Sequence, residues 1–310
     1  MKMLDTKLFK CVGVCVAFIA VALQFGCTAF RPGTTVTSYT LSRKPLSVPI
    51  QYNVKRSERD IRHKSNFDMD FDVEIKKDLN SNYLFAVKNF VGKDIDDVQN
   101  RHLKTIAKVI NQLKLSRSFS EFEPIGELNF VNFNPGGWAG MSVARSLGRY
   151  EPGFLDYRFQ KEQVAIGSEW KFEHDLAKES RTNLSRDGES GTSIDEEFNI
   201  RQIGGEANYK LVRVDKIGNA SVAEIEFHAK GDVITKIKSK IFGSSDTKES
   251  ITEKGTYWIN LDTGWPEKSR IVRTVETTWR NEKSTRVTTT ITAKLWNCSF
   301  ISFFLKFSEP

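Results

Sequence analysis

The sequence predicts an α+β fold that is mostly β: curled antiparallel sheet with one long amphipathic helix, behind an N-terminal signal segment. Three observations predict it. Apolar and polar residues alternate with period two through much of the chain, as strands with one face in a core require. One stretch, 95–115, switches to helical spacing. The first thirty residues have the layout of an export signal.

In chain order, the leader comes first. Lys2, Lys7 and Lys10 stand against a single Asp5, an uncharged apolar run extends from Cys11 to Leu23, and Gln24-Phe25-Gly26-Cys27 closes it. Three readings compete. The segment resembles a bacterial lipoprotein signal, which implies cleavage after Gly26 and a lipid on Cys27. An ordinary signal peptidase would instead cut after Ala29, with Cys27 and Ala29 as its small residues. Uncut, Cys11–Phe30 is long enough to span a bilayer, for which about 20 apolar residues suffice. All three export the remainder of the chain, and all three make the membrane an expected partner. The expected organisation is a signal at 1–26, a polar tether at 27–47, a sheet with a helix at 48–150 and an antiparallel β half at 160–310.

The strands and the helix come next. Phe67, Met69, Phe71, Val73 and Ile75 alternate with Asp68, Asp70, Asp72 and Glu74, predicting a half-buried strand over Asn66–Asp78. Its acids invite a calcium hypothesis, but alternating strand positions do not make the compact oxygen-rich loop that calcium favours, so a solvated face is expected. Val48–Glu58 and Ser81–Val91 read as neighbouring strands of a meander. Over 95–115, Leu103, Ile106, Ile110 and Leu113 form an apolar stripe, with Asp94, Asp96 and Asp97 at the start where a helix dipole favours them. Leu115–Phe133 returns to alternation, and Asn134-Pro-Gly-Gly-Trp138 is turn chemistry before a short expected helix at Ala139–Leu147. The second half reads as strands at Gln163–His174, Ala207–Lys216, Ala220–Ala229, Ile251–Leu261, Arg270–Arg280 and Thr285–Trp296, with a mobile loop at Ser180–Asp195. Val287, Thr289, Ile291, Ala293 and Leu295 fall on one side of the last. Ile301, Phe303, Leu305 and Phe307 form an apolar run too short to span a membrane as a helix, expected as an edge strand over the sheet.

Two motifs, Val164-x-x-Gly167-x-x-Trp170 and Gly255-Thr-Tyr-Trp-Ile-Asn-Leu-Asp-Thr-Gly264-Trp-Pro, are similar to those of a family of bacterial exported β-rich proteins of unknown function. The similarity runs over about Glu162–Ala293. It implies a cell-envelope protein with no known reaction and, more distantly, the half-barrels of lipoprotein carriers, which enclose an apolar cavity under a helix. Read physically, Asp262-Thr-Gly264 is a tight turn whose glycine supplies positive φ, and Trp170 and Trp258 are strand residues suited to a core.

Composition and motifs bound the function. The chain has 310 residues, 39% of them hydrophobic, and a formal charge of +7. Without residues 1–26 the charge falls to +5, spread among acids, which is poor material for a nucleic-acid surface. Cys11 and Cys15 lie in the signal, leaving Cys27 and Cys298; a disulfide between them is conceivable only where Cys27 keeps its thiol. His63, His102, His174 and His228 have no metal spacing, and neither Gly-x-Ser-x-Gly nor His-Glu-x-x-His occurs. Asp262-Thr-Gly is the tripeptide of aspartic proteases but occurs once, among residues that do not support that chemistry. The expectation is therefore a non-catalytic envelope lipoprotein without metal or cofactor, binding an apolar ligand or a partner protein, with no ligand residues identifiable. A structural protein held by an uncleaved N-terminal span is the alternative, and secretion is a further localisation.

Overall fold

Alternation in β3 (Ser65–Lys77) shows how the chain builds its sheet. Met69, Phe71, Val73 and Ile75 are buried, while the intervening acids point to the other face. Across β2 (Ile50–Asp60), Val54 lies opposite Phe71, Tyr52 opposite Val73 and Ile50 opposite Ile75, so the apolar rows coincide strand by strand. Each fully buried side chain of this size contributes roughly 1.5–3 kcal/mol. The computed structural model describes residues 37–62, 65–78, 82–94, 107, 110–111, 114–131, 155–177, 196–239, 243–279 and 282–295.

Eleven strands form one antiparallel sheet. From one edge run β6 (Pro124–Phe130), β5 (Lys114–Phe119), β4 (Tyr83–Asp94), β3 and β2; then come β13 (Glu282–Leu295), β12 (Pro266–Trp279), β11 (Gly243–Asn260), β10 (Ala220–Ser239), β9 (Glu196–Ile217) and β8 (Glu169–Glu173). The sheet is open, with β6 and β8 as its edges. Two meanders thus meet at the β13–β2 pair, and the chain from Ser38 onward clusters as one unit. A short pair, β1 (Ser38–Tyr39) with β7 (Val164–Ala165), stands apart from it.

The expected α+β class is corrected to nearly all β, since no helix stands among the described elements. Most of 95–115 and all of 139–147 lie outside the described residues. Within the first, Ala107, Ile110 and Asn111 are described: Asn111 N–H donates to Ala107 O at 3.0 Å, and Ile110 is buried. Lys114 and Leu115 already belong to β5, where Leu115 opposite Phe85 joins the covered face. The i→i−4 bond from Asn111 to Ala107 is a single helical turn, and the rest of the stretch 95–113 lies outside the described residues.

One face of the sheet is covered by irregular segments. Leu41 and Arg43, then Leu155, Tyr157 and Phe159, then Leu176 and Ala177 are all buried against it. A row of rings runs beneath them: Trp170 stacks on Tyr209 (centroids 5.8 Å), Tyr209 on Phe227 (5.8 Å) and Phe227 on Tyr257 (5.1 Å). Gly255 lies directly opposite Phe227, and a Cβ there would meet that ring at 2.7 Å, so the glycine makes room for the stack.

Candidate functional site

The turn between β11 and β12 explains one motif residue by residue. Asn260 Oδ1 accepts from the backbone N–H of Asp262 (2.9 Å) and Thr263 (3.2 Å), closing an Asx-type turn. Gly264 then adopts φ +71, and a Cβ there would stand 2.0 Å from Ser42 O. The missing side chain lets residues 41–46 lie on the turn: Lys44 N–H donates to Thr263 O (2.8 Å) and Trp265 Nε1 donates to Lys44 O (2.9 Å). Asp262-Thr-Gly is a docking turn for the start of the domain. That start falls within the stretch expected as tether.

Docking carries Arg43 into the interior, where it is 2% exposed. Its guanidinium lies 4.5 Å from the ring centroids of both Phe119 and Tyr157 and 5.4 Å from that of Trp265. Nε donates to Tyr157 OH and Nη1 to Ser120 O, both at 3.3 Å, while Nη2 is buried without a hydrogen-bond partner. Three π faces supply the electron-rich surroundings that a carboxylate usually gives. Tyr157 OH donates to Gly264 O at 2.9 Å, and burial pushes its phenol pKa up despite the arginine beside it.

A second polar group lies beneath residues 174–177. His174 Nε2 and Glu253 Oε2 are 2.5 Å apart, Arg273 Nη1 donates to Glu253 Oε1 (3.1 Å), and Arg273 Nη2 donates to Leu176 O (3.1 Å). Glycines again make this possible. A bulge between Lys230 and Gly231 faces Gly204 and Gly205, both at positive φ, and a Cβ on Gly231 would meet Leu176 at 2.9 Å. Gln202 fastens the segment, accepting from Leu176 N–H and Ala177 N–H and donating to His174 O. Burial pushes the Glu253 carboxyl up, yet Arg273 and His174 outweigh it and hold it down at about 2. Burial likewise opposes charge on His174, and the Glu253 carboxylate overcomes that to raise the imidazole above 6.5. Their joint preference is an imidazolium–carboxylate pair. A base already holding its proton is ill suited to activating a nucleophile, and no hydroxyl or thiol hydrogen bonds to His174 among the described residues. This is the chemistry of a clamp.

The strands between these two groups make the covered face polar at its middle. Thr288 and Thr292 of β13 are buried, Ser269 Oγ and Thr292 Oγ1 are 2.5 Å apart, and Lys294 Nζ reaches Glu267 Oε1 at 3.2 Å. The apolar row Val287, Ile291 and Leu295 consequently faces the open side, where Ile291 is 46% exposed. Beside it the open face holds a recess of about 360 Å³ lined by Lys55, Ser57, Asp70, Val91, Thr289 and Ile291 among others. Trp258 also faces outward, not into the core: its Nε1 donates to Glu224 (3.0 Å) and Lys268 lies over its ring at 4.1 Å.

No protein-family model matches the chain, and no curated protein matches it. Cys27, the expected lipidation residue, lies outside the described residues, as do Cys298, His63, His102, the loop expected at Ser180–Asp195 and the apolar run at 301–307. His228 is exposed on β10 opposite Lys254, one position along from the Ala229–Glu253 pair, and so on the open face of the sheet, away from the clamp. The acids of β3 have partners on neighbouring strands: Arg59 with Asp68 (2.8 Å), Asn53 with Asp70 (2.7 Å), Asn89 with Asp72 (2.7 Å) and Lys88 with Glu74. Among the described residues no group of three or more His, Cys, Asp or Glu side chains is arranged to hold a metal, and no helix is long and apolar enough to cross a membrane. Sequence reasoning missed Arg43, Glu253 and Arg273. The only local signal for the clamp was the glycine placement at 204–205 and 231.

Proposed function

We propose that this chain is a non-catalytic protein of the bacterial cell envelope, held to a membrane through its N-terminal segment, with lipid on Cys27, and acting by binding a partner protein. The observation that carries the binding half is the filling of the covered face by the chain's own Arg43, Tyr157, Leu176 and Trp265. An apolar ligand under the sheet, the other occupant expected, would meet Glu253, Arg273, Glu267 and Lys294 there, and burying such groups against hydrocarbon is costly. Recognition is left to the open face and the two sheet edges. The export half rests on the leader, Lys2 to Cys27.

Formaldehyde cross-linking in intact cells, followed by envelope separation and mass spectrometry of the full chain, tests both halves. The expected result is a membrane-associated chain with lipid on Cys27 and a discrete adduct to one other protein. Co-purified lipid without a protein adduct would replace the partner with a ligand. Recovery of the chain in the cytosol would end the proposal.

A further inference from the structure

Four neighbouring strands give the centre of the open face a single sign of charge. Across β11, β12, β13 and β2 the register sets Thr256 beside Arg270, Arg270 beside Ile291 and Ile291 beside Lys55. On either side of this row, Lys254 lies opposite Val272 and Lys268 opposite Ala293. Lys55, Lys254, Lys268 and Arg270 are all exposed, and the open-face positions within 53–59, 252–258, 268–274 and 287–293 hold no carboxylate. Lys268 lies over the Trp258 ring; among the described residues, Lys55, Lys254 and Arg270 have no carboxylate partner. Carboxylates stand on both flanks of this strip, Glu224 and Glu226 on β10 and Asp68 and Asp70 on β3. We infer that the strip receives an acidic segment of a partner protein, no wider than one helix. The inference rests on the partner-binding reading above and narrows it to one part of the open face.

Width and charge choose the occupant. From β11 to β2 the strip is about 14 Å wide, and from the row of Lys268 to that of Lys254 it is about 13 Å long. A helix with its side chains is about 10–12 Å across, so it lies within the strip without bringing its carboxylates onto those of β10 or β3. A flat anionic membrane is not confined in this way. It would meet the carboxylates of both flanks within a Debye length, about 8 Å, and lose much of the attraction of the strip. A second copy of this chain offers little complement, because the acids of β3 are already engaged by Arg59, Asn53, Asn89 and Lys88. Ile291, 46% exposed between Arg270 and Lys55, adds an apolar contact at the middle. The complement is therefore a segment with carboxylates on each side of an apolar residue.

The test places a benzophenone amino acid at Ala293, exposed on β13 opposite Lys268, in the full chain within the cells that make it. After irradiation, an adduct to one protein is expected, mapping to a segment of net negative charge. Lys254→Glu with Arg270→Glu should cut its yield at least tenfold, whereas Lys254→Arg with Arg270→Lys should leave it within twofold. Lysines in place of the acids of the mapped segment should restore the adduct to the Glu variant, which a misfolded variant would not allow. A lipid adduct, a product at dimer mass or a mapped segment without acids overturns the inference. So does a yield that survives charge reversal or is not restored by the exchange. The same probe at Ile125 on β6 and at Lys171 on β8 keeps the two readings apart. Protein adducts there with none at Ala293 would retain partner binding and remove the strip; none at any of the three positions would remove both.

Discussion

Gly264→Ala should loosen the start of the domain out of proportion to one added methyl group. The new Cβ would stand 2.0 Å from Ser42 O and 2.5 Å from Arg43 Cα, and both are backbone atoms that no rotamer change can move aside. Holding alanine at φ +71 costs roughly 1 kcal/mol by itself. Relieving the overlap requires residues 42–44 to lift, which breaks the bonds from Lys44 N–H to Thr263 O and from Trp265 Nε1 to Lys44 O. Those are worth about 1 kcal/mol each, giving a loss of about 3 kcal/mol in all. In a domain of this size that lowers Tm by about 6–12 °C. Urea unfolding monitored by tryptophan fluorescence reads the loss, since Trp265 is 1% exposed and reports directly on the dock. Arg43→Ala supplies the second arm of a double-mutant cycle. If both substitutions release the same segment, the double variant costs little more than the worse single one. A loss below about 0.5 kcal/mol, or costs that add within about 0.5 kcal/mol, would refute the docking account.

The same packing sets three further outcomes. Tyr157→Phe should cost about 1–2 kcal/mol, because the hydroxyl both donates to Gly264 O and accepts from Arg43 Nε; equilibrium unfolding checks it, and an unchanged midpoint would contradict the cage. Gly255→Ala places a Cβ 2.4 Å from Arg270 O and 2.7 Å from Phe227, so a loss of about 1–3 kcal/mol should accompany a weakened near-ultraviolet dichroism band from the stacked rings. His174 contributes its ion-pair stability fully below pH 6.5 and loses it as pH rises through its raised value, whereas Glu253 contributes above pH 4.5 and loses it as pH falls toward 2. The stability difference between wild type and His174→Gln should therefore peak between these pH values and shrink under alkaline conditions; a difference flat from pH 5 to pH 9 would exclude the clamp.

Strands with one dry face were legible because alternation records burial directly. The strand read at Asn66–Asp78 became β3 at Ser65–Lys77. Elements beyond that pattern were not legible, for specific reasons. The strands read at 207–216 and 220–229 are halves of β9 and β10, which run for 22 and 20 residues. Gly204, Gly205 and Gly231 lie just beyond the stretches read as strands, and they form a bulge that carries the ladder through while admitting Leu176. Trp258 was assigned to the core on size, but its register opposite Glu224 and Lys268 turns it outward. Arg43 left no trace in its own neighbourhood. Residues 41–46 have a tether's composition, and the groups hydrogen-bonded to the arginine lie 77 positions (Ser120) and 114 positions (Tyr157) away in sequence.

The register of β13 is the point at which burial alone gives the wrong answer. Sliding this strand by one residue would turn Val287, Ile291 and Leu295 toward the covered face, and by hydrophobic area that register should win. It would also withdraw Lys294 from Glu267 and Thr292 from Ser269, leaving a carboxylate and a hydroxyl buried without these partners. Breaking a buried ion pair by removing one member costs roughly 3–5 kcal/mol and stranding a buried hydroxyl roughly 1–3 kcal/mol more, which offsets the burial of three aliphatic side chains that are already partly covered. Polar pairing therefore selects the register, and the selection has a consequence on the opposite side. An aliphatic row is held in the open at the centre of the sheet, where no neighbouring strand can shield it.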